Sequence, residues 1–320
     1  MMIKKILITG GGGYVGTLLV QELLKKNYKI TVVDTFWFGN YLVKNKNLKI
    51  LKKNILNLNN SDFKKIDCVI HLASIANDNA ADIDQKFAWE TSCLGTKIIC
   101  DLAKRNNIKK FIYSSSGSVY GIKKEKQVTE NLSCEPVSVY NKSKMVAERI
   151  VLSYKENFQT IIVRPSTLYG YSPRMRLDLT INILCYHAFK FNKITIFGGK
   201  QWRPYLHVKD MVNFYLHCLQ QEKMKGIYNI SQGNLTLNQT ADKIKLFMPM
   251  CKIAYTRSND IRSYRLSSDK AIKSGFRFTT NIDAEIKNLL NLFKEKKIIS
   301  RLNNFSINWL KNKINSNEKK

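Results

Sequence analysis

Short apolar runs alternate with helix-period segments through the first half of the chain. Each run has the length of a buried strand, and the segments between the runs repeat apolar residues at the spacing of one helix face. The predicted strands are 3–9, 29–34, 48–52, 67–73, 109–115 and 159–164, and the predicted helices are 14–26, 86–105 and 141–156. This alternation is typical of an α/β fold with a doubly wound parallel sheet.

The pattern becomes shorter and more mixed after Pro165. The predicted helices are 177–191, 210–221, 236–247 and 283–295, and the predicted strands are 194–197, 203–207 and 227–231. No linker rich in Pro, Gly or Ser separates the halves, so we predict a domain over 1–170 and a smaller, interleaved C-terminal lobe over 171–300, with 200–232 returning to the first domain. Residues 301–320 are rich in Asn and Lys and predict a flexible tail, although a short amphipathic helix is indicated by Phe305, Trp309, Leu310 and Ile314.

A glycine-rich turn follows the first predicted strand. Gly10, Gly13 and Gly16 are three residues apart, a helix pattern begins after them, and the second predicted strand ends at Asp34. Glycines allow a tight turn and the close approach of a pyrophosphate, which then meets the N–H groups and the positive dipole end of the helix. The order of strand, turn, helix, strand and acid predicts a Rossmann dinucleotide site. Asp34 favours NAD, because a carboxylate repels the 2′-phosphate of NADP and Thr35 offers no cation.

A second pattern predicts a group that removes a proton from an alcohol. Tyr140 and Lys144 are one helical turn apart, and a lysine ammonium beside a phenol lowers the pKa of the phenol from ~10. Ser116, at the end of the fifth predicted strand, can hold the substrate hydroxyl. Lysine also stands four residues after Tyr120, Tyr186 and Tyr205, but only Tyr140 follows a serine-rich strand end and opens a long helix. We therefore interpret the other three pairs as structural.

The high positive charge of the chain raises the alternative of a nucleic-acid-binding protein, but the distribution of the lysines does not support it. The formal net charge is +29, which is also found in nucleic-acid-binding proteins. Lysines are spread over the whole length, without a recognition helix, RRM or zinc-finger pattern, so we predict no nucleic-acid partner. No apolar run approaches the ~20 residues of a membrane span. The N-terminus does not resemble a signal peptide, and the seven cysteines are scattered without CxxC pairs. We expect a cytoplasmic protein with reduced thiols, no membrane contact and no metal site.

Several motifs stand together in a specific order along residues 1–296. They are Thr-Gly-Gly-Gly-Gly-Tyr-Val-Gly at 9–16, Asp34, His-Leu-Ala-Ser at 71–74, three serines at 114–116, Tyr140 with Lys144, Arg-Pro at 164–165 and Trp-Arg-Pro-Tyr-Leu-His-Val at 202–208. In this combination the chain resembles an extended short-chain dehydrogenase/reductase of the NAD-dependent epimerase/dehydratase family, which acts on nucleotide-diphosphate sugars. The resemblance implies NAD as cofactor, such a sugar as substrate, and a homodimer formed through the helices 86–105 and 141–156.

The resemblance also implies a role for each motif. The implied cofactor-binding residues are Gly10, Gly13, Tyr14, Val15, Gly16, Asp34, Asn54, Ile55, Leu72, Ala73, Ser74, Tyr140 and Lys144. The implied catalytic residues are Ser116, Tyr140 as general base, and Lys144. The implied substrate-binding residues are Ser116, Thr167, Arg174, Arg176, Arg203 and Arg262. Of these, Arg203 stands where the family has a diphosphate-binding arginine, and Asn54 stands where it usually has Asp.

In this family, the two positions after the catalytic serine differ between enzymes that catalyse different reactions. The 4,6-dehydratases have an Asp-Glu pair there, and UDP-glucuronate decarboxylases usually have Glu at the second position, whereas this chain has Gly117 and Ser118. The resemblance therefore implies oxidation at C4 of the sugar, either by a 4-dehydrogenase or by a 4-epimerase of the UDP-glucose type. A non-catalytic NAD-sensing regulator is the distant alternative.

Three further segments narrow the substrate. Residues 78–84, 172–179 and 262–265 are similar to a bacterial subgroup of surface-polysaccharide sugar pathways, which includes GDP-heptose 4-dehydrogenation in capsule synthesis. A GDP- or UDP-linked sugar is expected on this basis. A 4-dehydrogenase that releases its ketone must also re-oxidise NADH, for which a keto acid is the expected co-substrate.

Overall fold

The computed structural model describes residues 3–258 and 263–317. In this part of the chain the strands are β1 (Lys5–Thr9), β2 (Lys29–Asp34), β3 (Leu48–Lys52), β4 (Cys68–His71), β5 (Lys110–Ser114), β6 (Gln159–Pro165), β7 (Thr167–Tyr169), β8 (Lys193–Phe197), β9 (Trp202–His207), β10 (Gly226–Ile230), β11 (Gly233–Thr236) and β12 (Lys252–Thr256). The α-helices are α1 (Tyr14–Lys25), α2 (Asp78–Ile83), α3 (Gln85–Trp89), α4 (Gly95–Arg105), α5 (Val139–Leu152), α6 (Thr180–Phe191), α7 (Val208–Gln220), α8 (Leu237–Phe247), α9 (Asp269–Lys273), α10 (Ile282–Lys294) and α11 (Ser306–Asn317).

Seven strands form one parallel sheet in the order β10-β6-β5-β4-β1-β2-β3, which confirms the predicted fold class. The interior strands are nearly continuous apolar runs because helices cover both faces, with α1 and α7 on one side and α4 and α5 on the other. The chain order reverses between β1 and β4. Doubly wound folds bind their ligands at such a reversal, outside the carboxyl ends of the strands.

The smaller lobe has an apolar core of its own. The lobe consists of α6, α8, α10, the two-stranded sheet β12-β8 and the three-stranded sheet β11-β9-β7. Residues 200–232, which the sequence predicts to return to the first domain, contribute to both the large sheet and the small lobe. β9 places Tyr205 in the core of the small lobe and Leu206 in the core of the large sheet, because successive side chains of a strand point to opposite faces. α7 then packs on α1, and β10 joins the large sheet beside β6.

The last helix lies where the sequence predicts a flexible tail. In α11, the ring of Trp309 stacks on Trp37 with 5.9 Å between ring centroids and lies 4.9 Å from the ring of Phe38. Just before the helix, Asn303 donates to the carbonyl of Phe38 at 2.8 Å. These few aromatic contacts hold the segment, although its overall composition is typical of disorder. Among the helices of the described residues, none is both long and apolar enough to cross a membrane.

A buried ion pair joins α5 to the large sheet. Arg164 on β6 donates from Nε and Nη2 to the two carboxylate oxygens of Glu148 on α5, at 2.9 and 2.6 Å, and the two side chains are 4% and 3% exposed. The same carboxylate accepts from Ser115 Oγ, and Arg164 Nη1 donates to the hydroxyl of Tyr120 at 2.7 Å. Burial alone would lower the pKa of Arg164, but its bonds to Glu148 raise it above the ordinary value. Arg164 therefore stays charged inside the protein.

Removal of one charge from this pair should destabilise the fold. We expect Glu148→Gln to lower the free energy of unfolding by ~3–5 kcal/mol, because Arg164 would remain as a buried charge without its counter-ion. Equilibrium unfolding in urea measures this difference. The control is Glu22→Gln, because the Glu22–Lys25 pair is 38% and 69% exposed and should contribute less than ~1 kcal/mol. Similar losses in both variants would contradict the prediction.

Candidate active site

The glycine turn joins β1 to α1 at the reversal of the large sheet. Gly10 has a φ of 74°, and a Cβ atom there would lie 2.6 Å from the backbone nitrogen of Ala73. A Cβ at Gly16 would lie 2.4 Å from the carbonyl oxygen of Gly10. Gly13 precedes α1, and no side chain caps this end of the helix. The positive end of the helix dipole therefore faces the turn, which is the arrangement that a pyrophosphate requires.

Asp34 stands beside the turn at the end of β2. Its carboxylate accepts from the backbone N–H of Gly12 at 2.9 Å and from that of Phe36 at 2.7 Å. Burial raises the pKa of Asp34, and the two backbone hydrogen bonds oppose this effect. The turn itself thus fixes the position of the carboxylate.

One cavity of about 650 Å³ lies between the turn and the small lobe, within the ~300–1,000 Å³ usual for ligand sites. Every predicted site residue that the structure describes lines it: Gly10, Gly13, Tyr14, Val15, Gly16, Asp34, Asn54, Ile55, Leu72, Ala73, Ser74, Ser116, Tyr140, Lys144, Thr167, Arg174, Arg176 and Arg203. Arg262 is outside the described residues. The fold therefore brings distant motifs into one space.

The polar groups of Tyr14 and Asn54 also form hydrogen bonds to the protein backbone. The Tyr14 hydroxyl donates to the carbonyl of Gly170 at 2.5 Å, which joins α1 to the small lobe. Asn54 Oδ1 accepts from the N–H of Leu56 at 3.0 Å and so caps a short 3-10 turn. Both side chains thus have a structural role besides the proposed one.

α5 begins at the cavity and presents Tyr140 and Lys144 one turn apart. The side chains of Tyr140 and Ser116 both line this part of the cavity, and Ser116 acts on the phenol as a hydrogen-bonding group that lowers the pKa of Tyr140. Lys144 Nζ donates to the carbonyl of Ser114 at 2.7 Å and lies 5.0 Å from the ring centroid of Tyr113. The end of β5 and the start of α5 therefore place a phenol, a hydroxyl and an amine around the same part of the cavity.

The pKa of Tyr140 differs from the sequence-based prediction that Lys144 lowers it. Burial raises the pKa of Tyr140 to about 12, and the negative charge of Asp78 raises it as well, whereas the hydrogen bond to Ser116 and the charge of Arg176 lower it. Burial also lowers the pKa of Lys144 to about 7. The prediction was wrong because it considered the charge of the lysine and not the desolvation of both groups.

The two positions after Ser116 are filled without a carboxylate. A Cβ at Gly117 would lie 3.1 Å from the carbonyl oxygen of Pro165, so this position is tightly packed. Ser118 Oγ lies 2.7 Å from Ser116 Oγ and donates to Asn141 Oδ1. Ser118 thus links Ser116 to the start of α5.

Arg174 and Arg176 form a buried wall of the cavity. Arg176 Nε donates to Asp178 at 2.9 Å. The guanidinium of Arg174 lies 4.0 Å from the ring centroid of Phe38 and donates from Nη2 to Ser306 Oγ at 3.4 Å. Burial lowers the pKa of Arg174 to about 9, and the charge of Arg176 adds to this. Arg174 Nε and Nη1, and Arg176 Nη2, are buried without a hydrogen-bond partner in the described part of the chain.

Arg203 and Thr167 come from neighbouring strands, because β9 pairs with β7. Arg203 Nη1 donates to the carbonyl of Trp202 at 3.1 Å. The N–H of Trp202 donates to Ser263 Oγ at 3.0 Å, and the Arg265 guanidinium lies 4.0 Å from the ring of Trp202. The segment that follows the undescribed residues 259–262 therefore packs on the strand that carries Arg203.

The cavity also contains residues that the sequence analysis did not predict as site residues. They include Trp37, Phe38, Lys53, Asp78, Tyr264, Ser306, Ile307 and Leu310. The loop after Asp34 and the helix α11 supply most of them. One signal was present: Trp309 is a large aromatic residue in an otherwise polar terminal segment, and such a residue indicates a packed helix.

Unpartnered polar atoms in the cavity test whether a dinucleotide fits. Ser74 Oγ, Thr91 Oγ1 and Ser166 Oγ line the cavity and are buried without a hydrogen-bond partner among the described residues. A buried polar atom left unpaired costs ~1–3 kcal/mol, so these positions favour a ligand with hydroxyl or amide groups. Together with the uncapped α1 and Asp34, they fit NAD. No cluster of three or more metal-binding side chains exists within residues 3–258 and 263–317.

Curated proteins that are similar in sequence to this chain are named as nucleotide-sugar enzymes. A dTDP-D-glucose 4,6-dehydratase of Dictyostelium discoideum is 34% identical over 259 residues, which are 72% of this chain and 58% of that protein, so the chain spans less than two thirds of this relative. A putative UDP-glucose 4-epimerase of Methanocaldococcus jannaschii is 28% identical over 302 residues, which are 90% of this chain and 98% of that protein.

Solved structures share the fold. A UDP-N-acetylglucosamine 4-epimerase from Methanobrevibacter ruminantium M1, in complex with UDP-N-acetylmuramic acid, has a TM-score of 0.86 and 22% identity, and the match covers 92% of this chain and 100% of that one.

A profile of the NAD dependent epimerase/dehydratase family matches residues 6–231, which include the glycine turn, Tyr140 and Arg203. The chain therefore belongs to the NAD dependent epimerase/dehydratase family.

Proposed function

We propose that this chain oxidises the C4 hydroxyl of a nucleotide-diphosphate sugar with NAD, as a sugar-nucleotide 4-dehydrogenase. The observation that carries the proposal is that Ser116, Tyr140 and Lys144 line one cavity together with the dinucleotide turn. A 4-epimerase is the second candidate, because the putative UDP-glucose 4-epimerase aligns over nearly its whole length. A non-catalytic NAD sensor is disfavoured, since Ser116, Tyr140 and Lys144 are together in the cavity.

Tyr140 is the proposed general base. Ser116 donates or accepts a hydrogen bond at the substrate hydroxyl and holds it beside Tyr140, whose phenolate form receives the hydroxyl proton and becomes the neutral phenol. Bound NAD supplies the acceptor for the hydride that leaves the same carbon. The positive charge of Arg176 favours the phenolate form of Tyr140, which burial disfavours. Lys144 is the proposed ligand of the nicotinamide ribose, and its hydrogen bond to the carbonyl of Ser114 supports this by holding the amine at the cavity.

Dehydration is not part of the proposal, although the Dictyostelium relative is named as a 4,6-dehydratase. Elimination of water by a 4,6-dehydratase takes place across C5 and C6 and requires an acid and a base beside these carbons. The two positions after Ser116 are occupied by Gly117 and Ser118, and the close contact of Gly117 with Pro165 leaves little space for a carboxylate. This arrangement favours oxidation without elimination.

The proposals for the substrate, the oligomeric state and the location of the protein are based on the sequence resemblance. We propose a GDP-linked heptose, in bacterial surface-polysaccharide synthesis, as the first substrate to test and UDP-glucose as the alternative. Arg203 is the proposed ligand of the substrate diphosphate, and Thr167 lies on the strand beside it. A homodimer through α4 and α5 is proposed as well. The seven cysteines are free thiols, which supports a cytoplasmic location.

Product analysis distinguishes the two candidate reactions. With GDP-heptose, a 4-dehydrogenase should form one equivalent of NADH and a 4-keto sugar per active site, and added keto acid should allow further turnovers. An epimerase should convert UDP-glucose to its C4 epimer without net NADH. Absorbance of NADH and NMR of the sugar measure these outcomes. No change in any GDP- or UDP-sugar of the panel would contradict both candidates.

Substitution of the proposed base should remove the chemistry and leave binding intact. We expect Tyr140→Phe to lower kcat by ~100-fold or more, because the hydroxyl proton loses its acceptor. The Kd of NAD should change less than ~2-fold. The control is Tyr186→Phe, since Tyr186 also has a lysine four residues later but is not part of the cavity lining. Equal activity of Tyr140→Phe and wild type would exclude the proposed role.

Asp34 should determine the preference for NAD over NADP. We expect Asp34→Asn to reduce the ratio of the NADP and NAD dissociation constants by ~10–100-fold, because the repulsion of the 2′-phosphate is removed while the cation Arg174 stays nearby. Isothermal titration with both nucleotides measures the ratio. Asp242→Asn, which changes an exposed acid on α8, is the control. An unchanged ratio in Asp34→Asn would show that another group selects the cofactor.

A further inference from the structure

Arg174 is surrounded by residues of the dinucleotide half of the cavity. Its guanidinium lies 4.0 Å from the ring of Phe38, which is four residues after Asp34. Asp34 and Arg174 line the same cavity, and the charge of Arg174 lowers the pKa of Asp34, which burial raises. Asp34 in turn accepts from the N–H of Gly12 in the glycine turn. The sequence resemblance had instead implied that Arg174 binds the sugar nucleotide.

The C-terminal segment holds the arginine in this place. Arg174 Nη2 donates to Ser306 Oγ at 3.4 Å, and the N–H of Ser306 donates to Asp178 Oδ2 at 3.0 Å. Asn304 Nδ2 donates to the carbonyl of Met175 at 3.1 Å. The loop of Arg174 and the C-terminal segment therefore form one hydrogen-bonded unit. This unit limits the conformations that the long side chain of Arg174 can adopt, which favours binding of a ligand by a preformed fork.

The unpartnered donors of Arg174 favour an anion as their partner. Arg174 is 3% exposed, and its Nε and Nη1 atoms have no hydrogen-bond partner in the described residues. A buried guanidinium with open donors is costly unless an anion occupies the space in front of it. A phosphate or pyrophosphate accepts such a fork in bidentate geometry. The anion of a dinucleotide that lies over the glycine turn and reaches Asp34 is its pyrophosphate.

We propose that Arg174 binds the pyrophosphate of the dinucleotide and belongs to the cofactor subsite, whereas Arg203 serves the sugar nucleotide. This rests on the proposed function only in that a dinucleotide binds at the glycine turn. The two diphosphates of the reaction then have separate arginines. Arg174 comes from the loop after β7, and Arg203 comes from β9.

Binding of three adenine ligands to nucleotide-free protein tests the proposal. We expect Arg174→Gln to weaken NAD and ADP by ~10–100-fold, the size expected for loss of a charged hydrogen bond, and to leave adenosine within ~2-fold. Arg174→Lys, which keeps the charge but not the fork, should be intermediate. The control is Arg277→Gln, because Arg277 is exposed and outside the cavity. Isothermal titration gives the constants, and the NAD retained by each variant through gel filtration is a second readout.

Titration with GDP and UDP separates this proposal from the proposed function. Under the proposal, Arg174→Gln leaves the Kd of GDP and UDP within ~2-fold, and Arg203→Gln weakens them and leaves ADP unchanged. Loss of GDP or UDP binding in Arg174→Gln, with ADP unchanged, would overturn it, as would equal weakening of ADP and adenosine. If wild-type protein binds ADP but neither GDP nor UDP, the proposed substrate class fails while the role of Arg174 still stands. Thermal unfolding of each variant without nucleotide shows whether it is folded.

Discussion

The positions of Ser116, Tyr140 and Lys144, the proposed catalytic residues, depend on the buried ion pair of Glu148 and Arg164. Two charges removed from water cost several kcal/mol each unless they are paired, so α5 cannot slide or rotate against β6 without a large loss. Glu148 is one helical turn from Lys144 on α5, and its carboxylate also holds Ser115, the neighbour of Ser116. The pair thus fixes the distance between the end of β5 and the start of α5. In the proposed mechanism, that distance determines whether Ser116 and Tyr140 can share a substrate hydroxyl.

A second set of contacts makes the glycine turn and the small lobe one unit. The Tyr14 hydroxyl donates to the carbonyl of Gly170, Thr17 Oγ1 lies 3.0 Å from Ser172 Oγ, and Ser172 Oγ donates to the carbonyl of Tyr14 at 2.7 Å. Of these residues, Gly170 and Ser172 lie just before Arg174 in the loop after β7. A shift of the loop would therefore be transmitted to the N-terminus of α1. The dinucleotide site and the small lobe are coupled by hydrogen bonds between buried groups, which are costly to break.

The parts of the molecule that the sequence predicts well are those determined by local patterns. The large sheet follows from apolar runs bounded by turns, and the glycine turn, Asp34 and the Tyr140–Lys144 spacing each lie within one short segment. The surroundings of Arg174 could not be predicted in this way, because Phe38 and Ser306 come from opposite ends of the chain. The pKa of Tyr140 could not be predicted either, since burial is its largest cause and depends on the whole fold.

The buried cations, and not the net charge of +29, indicate where an anion binds. Lys110 donates to the carbonyls of Cys218 and Leu219 at the end of α7, at 2.7 and 3.0 Å, which neutralises a helix terminus. Arg164 is paired with Glu148, and Lys144 is bonded to a strand carbonyl. Each of these cations has a partner that explains its burial. In the described part of the chain, Arg174 Nε and Nη1 have no hydrogen-bond partner, and this favours a ligand that carries negative charge.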